Sequence, residues 1–102
     1  MAFNTGPAVG YSFLNITLAA PTTTVVKTGA GILHTITFTK PVATAVVTIY
    51  DNTAASGTIL WTTGAMGALT TPFSIDLQRI PFFTGLTVVI AAANADAVVI
   101  YE

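Results

Sequence analysis

The feature that most constrains this chain is a series of short runs rich in Val, Ile, Thr, Phe and Tyr, separated by Gly, Pro, Asn and Asp. The runs 44–50 and 57–63 flank a short polar loop and predict a hairpin. No window carries an apolar face at helical spacing, and the helix formers Glu, Lys, Gln and Arg are rare. The pattern predicts an all-β chain, an antiparallel β-sandwich or jelly-roll-like barrel of seven or eight strands.

The clearest alternation of apolar and polar residues lies in the run 73–79. Phe73, Ile75 and Leu77 are predicted to face the core, because side chains alternate between the two faces of a strand. Pro81 follows closely and cannot donate a hydrogen bond to a neighbouring strand. We therefore expect this strand to end there or to lie at the edge of a sheet.

The run 32–39 predicts a second alternating strand with an uncharged, threonine-rich outer face. Threonine favours the extended backbone, and its hydroxyl group suits either solvent or a docked protein. The predicted inward residues are Ile32, His34, Ile36 and Phe38, and the predicted outward residues are Leu33, Thr35, Thr37 and Thr39.

The first residues of the chain have a different sequence pattern from the rest, since Gly6, Pro7 and Gly10 interrupt an apolar stretch. We interpret residues 1–20 as an N-terminal arm and the first strand, and residues 21–102 as the β-sandwich domain. The arm carries apolar side chains that would be poorly placed in water unless a neighbouring protein covered them.

The scarcity of charge bears most directly on function. Charged residues make up 7% of the chain and hydrophobic residues 53%, whereas about a quarter of the residues in a typical domain are charged. Such a surface suits contact with other protein and predicts a subunit of an assembly, including a homo-oligomer, for which a trimer is one arrangement. The candidate interface residues are Phe3, Tyr11, Phe13 and Tyr50.

Two classes of partner are not expected. The three basic residues are scattered, so no basic patch is predicted to follow a nucleic-acid backbone. The stretch 86–100 is the longest apolar one, but it contains Asn94 and Asp96 and is shorter than the roughly 20 residues that a membrane helix needs. The N-terminal residues lack a basic region before an apolar one, so synthesis in the cytoplasm is expected.

Residues that could carry out chemistry are few. The chain has no Cys and one His, and His34 is interpreted as a core or interface histidine rather than a general base. Asp51, Asp76 and Asp96 are far apart in sequence and lack the spacing of a calcium loop. We therefore expect neither enzymatic activity nor a cofactor or metal site.

Three sequence pieces, in order, carry a family resemblance: VVKTGAGILHTITF at 25–38, ATAVVTIYDNTAASGTIL at 43–60 and TGLTVV at 84–89. Together they resemble small β-sandwich structural proteins of tailed bacteriophages. The resemblance implies a virion component on the capsid surface, a cement or decoration protein that binds the major capsid protein. It places Gly29, Gly31, Asp51 and Gly57 at turns and carries over no catalytic residue.

An alternative from another functional class is a carbohydrate- or receptor-binding module of a phage tail or other surface structure. Trp61 and the tyrosines Tyr11, Tyr50 and Tyr101 could form its stacking platform. Trp61 shares its strand parity with Ile59, which instead favours burial of both side chains in the core.

Overall fold

A computed structural model describes residues 11–16, 22–65, 67, 71–91 and 95–102. These residues form eight strands, in agreement with the number expected from the sequence. No helix in this part of the chain is long and apolar enough to cross a membrane. The strands are β1 (Ser12–Ile16), β2 (Thr22–Thr28), β3 (Gly31–Lys40), β4 (Val46–Asp51), β5 (Thr58–Ala65), β6 (Phe73–Phe82), β7 (Gly85–Ala91) and β8 (Asp96–Tyr101).

The strands form two four-stranded antiparallel sheets. Sheet 1 has the order β1-β8-β3-β6, and sheet 2 has the order β2-β7-β4-β5. The first strand pairs with the last, the second with the seventh, the third with the sixth and the fourth with the fifth. Additional pairing of β3 with β8 and of β4 with β7 completes the two sheets. This is the strand order of a jelly roll, and the predicted all-β sandwich is confirmed.

The core lies between the two sheets and is built by alternate residues of the strands. In β4 and β8, the buried side chains alternate with partly buried ones, as the pleat requires, whereas β7 buries four consecutive residues from Gly85 to Val88. Removal of this apolar surface from water is the main stabilising contribution to the fold. The buried apolar residues are Ile16, Leu33, Ile36, Phe38, Ala45, Val47, Ile49, Leu77, Phe82, Leu86, Val88, Ile90, Ala95, Ala97 and Val99.

The predicted alternation in β3 is correct at one end of the strand and wrong at the other. Ile36 and Phe38 are buried as expected, but Leu33 is also fully buried, whereas His34 is only partly buried. The register with both neighbouring strands is interrupted between Leu33 and Thr35. A β-bulge at this point changes which face the preceding residues occupy. Leu33 therefore enters the core, and His34 turns toward the outer surface of sheet 1.

Strand β6 agrees with its prediction more closely. Leu77 is buried, Phe73 and Ile75 are partly buried, and β6 lies at the edge of sheet 1, as Pro81 had indicated. Its hydrogen-bonded register skips residues opposite the bulge in β3. There Gln78 and Arg79 have positive φ angles of 56° and 63°, which directs this segment away from the regular strand path.

The predicted hairpin between β4 and β5 is confirmed. Asp51, the last residue of β4, also binds the turn between β6 and β7. The carboxylate of Asp51 accepts hydrogen bonds from the backbone N–H groups of Phe83, Thr84 and Gly85 at 2.8–3.3 Å. The bond from Thr84 contributes most to lowering the pKa of Asp51, and the bonds from Phe83 and Gly85 also lower it. Asp51 thus joins the β4–β5 hairpin to the β6–β7 turn.

Candidate interaction surfaces

Each sheet presents one outer face, and the two faces differ in charge. We name the outer face of sheet 1 face 1, and the outer face of sheet 2 face 2. In antiparallel sheets, directly opposed residues lie on the same side, so strand register identifies the members of each face.

Face 2 includes two rows that cross all four strands of sheet 2. Both rows mix aliphatic side chains with threonines, and the hydroxyl groups of Thr48 and Thr62 are 3.2 Å apart. One row, from β2 to β5, contains Val25, Thr87, Tyr50 and Ile59, and the other contains Thr23, Val89, Thr48 and Thr62.

Neither charged residue of the face 2 strands contributes its charge to that face. Lys27 is paired with Leu86, a core residue, and its ammonium group lies 6.0 Å from the centre of the Phe82 ring. The carboxylate of Asp51 is directed to the turn after β6. Over the described residues of β2, β4, β5 and β7, face 2 is therefore free of charged side chains.

Face 2 also exposes large apolar groups to solvent. Ile59 is 53% exposed and Val25 is 46% exposed, at opposite edges of the sheet. Between them, Thr87 is fully buried and donates its hydroxyl hydrogen to the carbonyl oxygen of Asn52 at 2.6 Å. The polar group at the centre of the face is thus already satisfied within the chain. Single exposed apolar side chains are common on protein surfaces, so the feature that distinguishes face 2 is the absence of charge around them.

Face 1 carries a row of polar side chains at one end of sheet 1. Tyr11 precedes β1, Glu102 follows β8, His34 lies in β3, and Arg79 lies in β6. The Glu102 carboxylate accepts hydrogen bonds from His34 Nε2 at 2.6 Å and from Arg79 Nη1 at 3.3 Å. The ring centres of Tyr11 and His34 are 4.3 Å apart. The row therefore connects all four strands of sheet 1.

The electrostatics of this row centre on Glu102. The hydrogen bond with His34 is the largest cause of a lowered Glu102 pKa, and the nearby Arg79 guanidinium lowers it further. The arrangement combines the ion pair of Arg79 with Glu102 and the hydrogen bond of His34 to the same carboxylate, and it links the side chains of neighbouring strands. In the described part of the chain, no three His, Cys, Asp or Glu residues are grouped so that they could hold a metal ion.

The predicted interface residues fall on both faces. Tyr11 and Phe13 lie close together on face 1, where they are 37% and 45% exposed. Tyr50 is partly buried on face 2, on the opposite side of the sandwich. Phe3 lies outside the described residues.

The exposed Ile59 and Val25 were missed by the sequence reasoning. The expectation that Ile59 and Trp61 share a buried face is correct for Trp61, which lies opposite the buried Ile49 and packs against the core. It is wrong for Ile59, because the register shifts so that Ile59 lies opposite Tyr50. The sequences of β5 and β7 contain no charged residue, and this feature could have predicted an uncharged outer face on sheet 2.

Comparison with known proteins adds no identification, because no family model, no curated protein and no solved structure matches this chain.

Proposed function

We propose that this chain is a non-enzymatic structural subunit of a virion, a capsid cement or decoration protein that docks on the coat-protein lattice through face 2. The observation that carries this proposal is the charge-free outer face of sheet 2, with Ile59 and Val25 exposed at its two edges. A docked partner would remove these apolar groups from water without having to desolvate a charged group.

The size of face 2 suits a subunit that binds in many copies. Four strands about 4.8 Å apart, each with about six residues at a rise of about 3.4 Å, give a face of roughly 400 Å². Each partner of a standard stable interface contributes about 800 Å². One face therefore supports a modest affinity, and a lattice that engages several linked copies raises the overall strength by multivalency.

Two further observations support a virion role. The strand order is that of the jelly roll, an architecture that recurs in viral capsid proteins and lectins. The three sequence pieces that resemble tailed-phage β-sandwich proteins include most of β3, β4 with the start of β5, and part of β7. The coat protein is accordingly the proposed partner, and the capsid surface is the proposed location.

The carbohydrate-binding alternative receives less support from the aromatic side chains. Trp61, the main candidate for a stacking platform, packs against the core. Tyr11 and Tyr50 lie on different faces, so they cannot form one platform. No arrangement of these residues favours a sugar over a protein surface.

The test is a co-sedimentation assay with particles of a phage that encodes this chain, prepared without it. Purified wild-type chain should pellet with the particles in a fixed ratio to coat protein. Ile59→Lys should weaken pelleting about tenfold or more, because it forces a charge into the docked apolar contact. Thr39→Lys adds the same charge to an exposed position on sheet 1 and should bind as the wild type does.

Two results would contradict the proposal. One is a wild-type chain that stays in the supernatant at saturating concentration. The other is equal binding by the wild type and the Ile59→Lys variant.

A further inference from the structure

Three turns lie together at one end of the sandwich and form a surface that we name the loop end. Strand register brings them together, because Thr28 lies opposite Gly85 and Asp51 lies opposite Thr58. The structure describes every residue of these turns, and none of them is charged. The loop end therefore resembles face 2 in its lack of charge. Its members are the β2–β3 turn (29–30), the β4–β5 loop (52–57) and the β6–β7 turn (83–84).

Phe83 is the most exposed large apolar side chain among the described residues, with 74% of its surface open to solvent. One exposed apolar side chain is common on a protein surface and does not by itself indicate a contact. Phe83 is distinguished by the backbone that carries it, because contacts from both neighbouring turns hold that backbone in place. An aromatic ring on a fixed backbone loses little conformational entropy when a partner covers it.

Hydrogen bonds hold the Phe83 turn on two sides. On one side, the Asp51 carboxylate accepts the N–H groups of Phe83, Thr84 and Gly85. On the other side, the N–H group of Gly29 donates to the carbonyl oxygen of Thr84 at 2.9 Å. The turn is thus tied both to the end of β4 and to the β2–β3 turn.

The packing around Gly85 shows how closely the turns approach one another. A Cβ atom at this position would lie 2.8 Å from Thr53 Cγ2, 2.9 Å from the Asn52 carbonyl oxygen and 3.0 Å from the Lys27 carbonyl oxygen. Only glycine allows such an approach without a shift of the backbone. Packing and hydrogen bonds therefore fix the same turn.

The Phe83 turn adjoins one end of face 2. Tyr50 and Ile59 lie opposite each other in a row of that face, and the next pair along the same strands is Asp51 and Thr58. The Asp51 carboxylate accepts the N–H group of Phe83 at 3.0 Å. A protein partner that covers Ile59 is therefore within reach of Phe83.

We propose that the loop end extends the docking surface of face 2, and that Phe83 is its anchor and inserts into an apolar pocket of the coat protein. This inference rests on the proposed function, because it takes the coat protein as the partner of face 2. A fixed aromatic side chain beside small uncharged residues has the composition of an interface hot spot. Asp51 acts as a positioning residue, because it holds the turn that presents the ring.

The test is co-sedimentation with phage particles prepared without the chain. Phe83→Ala should bind at least about tenfold more weakly than the wild type, because it removes the ring from the coat-protein pocket. Phe13→Ala makes the same chemical change at an exposed position on face 1 and should bind as the wild type does. Circular dichroism should show the wild-type fold in both variants, since both side chains are exposed.

A double variant tests the positioning role of Asp51. Asp51→Asn should weaken binding about threefold, because it loosens the turn that presents the Phe83 ring. Asp51→Asn combined with Phe83→Ala should bind no more weakly than Phe83→Ala alone, since the turn contributes to binding only through that ring. Losses that add in the double variant would overturn the positioning role.

The outcomes separate this inference from the docking of face 2. If Ile59→Lys weakens pelleting but Phe83→Ala pellets as the wild type does, face 2 docks and the anchor is wrong. Equal losses from Phe83→Ala and Phe13→Ala would also overturn the anchor, because the effect would not be specific to the loop end. A wild-type chain that stays in the supernatant overturns both proposals.

Discussion

Face 1 and face 2 of the same sandwich have similar strand architecture, but face 1 carries charged side chains and face 2 carries none among its described strand residues. Face 1 carries a polar row in which the Glu102 carboxylate accepts hydrogen bonds from His34 and Arg79. Face 2 contains no charged side chain among its described strand residues and exposes Ile59 and Val25. A chain with so few charges thus concentrates them away from one face. The comparison indicates that low charge is a local property of a surface suited to docking, rather than a uniform property of the molecule.

The largest expected effect concerns the bulge that gives face 1 its polar row. Leu33→Ala should destabilise the protein by about 2–5 kcal/mol, because it removes a fully buried side chain and leaves a cavity. Urea denaturation measures this change in the free energy of unfolding. Thr39→Ala, in the same strand but exposed, is the matched control and should stay within about 0.5 kcal/mol of the wild type. Equal effects of the two substitutions would mean that Leu33 is not in the core.

A smaller effect is expected at the turn that organises one end of face 2. Asp51→Asn should cost about 1 kcal/mol, since charge-assisted hydrogen bonds to three amides are weakened at a site that solvent partly screens. Thr58→Ala, at the exposed position opposite Asp51 in β5, is a neighbouring control that leaves the carboxylate of Asp51 in place. Urea denaturation at neutral pH compares the two variants, and a larger loss in the control would contradict the role given to Asp51.

The pH dependence of Asp51 provides a second readout of the same contact. Because its pKa is lowered in the folded chain, Asp51 contributes stability above the unfolded value of 3.8. That contribution is lost as the pH falls below 3.8 and through the folded pKa. Asp51→Asn should therefore reduce the acid-induced loss of stability, as measured by thermal unfolding at a series of pH values. An unchanged acid profile would argue against this linkage.

The smallest effect is expected for Glu102 on face 1, because solvent-exposed ion pairs contribute little to stability. Its pKa is also lowered, first by the hydrogen bond with His34, so its contribution is present above the unfolded value of 4.5 and is lost at lower pH. Glu102→Gln should lower the unfolding temperature slightly at neutral pH and show a weaker decline in acid. If Glu102→Gln proved as damaging as Leu33→Ala, the row would be a major support of the fold.

The local sequence predicted the strands well because each strand depends mainly on its own residues. Alternation in the run 73–79 identified the inward side chains of β6, and Pro81 correctly indicated an edge strand. The loop between β4 and β5 likewise predicted a hairpin from short polar residues that favour turns.

The sequence did not predict the faces in full, because a bulge depends on the register between strands. Leu33 and Ile59 were both assigned to the wrong side, and both lie beside register breaks. The hydrogen bond between His34 and Glu102 joins residues 68 positions apart in the chain, a proximity that no local pattern encodes. The charge-free character of face 2 also emerges only when the partners of each strand are known.

The most direct test of docking through face 2 is hydroxyl-radical footprinting of the chain, free and bound to phage particles, with mass spectrometric readout of individual side chains. We predict that Ile59 and Val25 on face 2 become protected on binding, whereas Tyr11 and Phe13 on face 1 keep the labelling that they show in the free protein. Protection of Tyr11 and Phe13 with unchanged labelling of Ile59 and Val25 would contradict it.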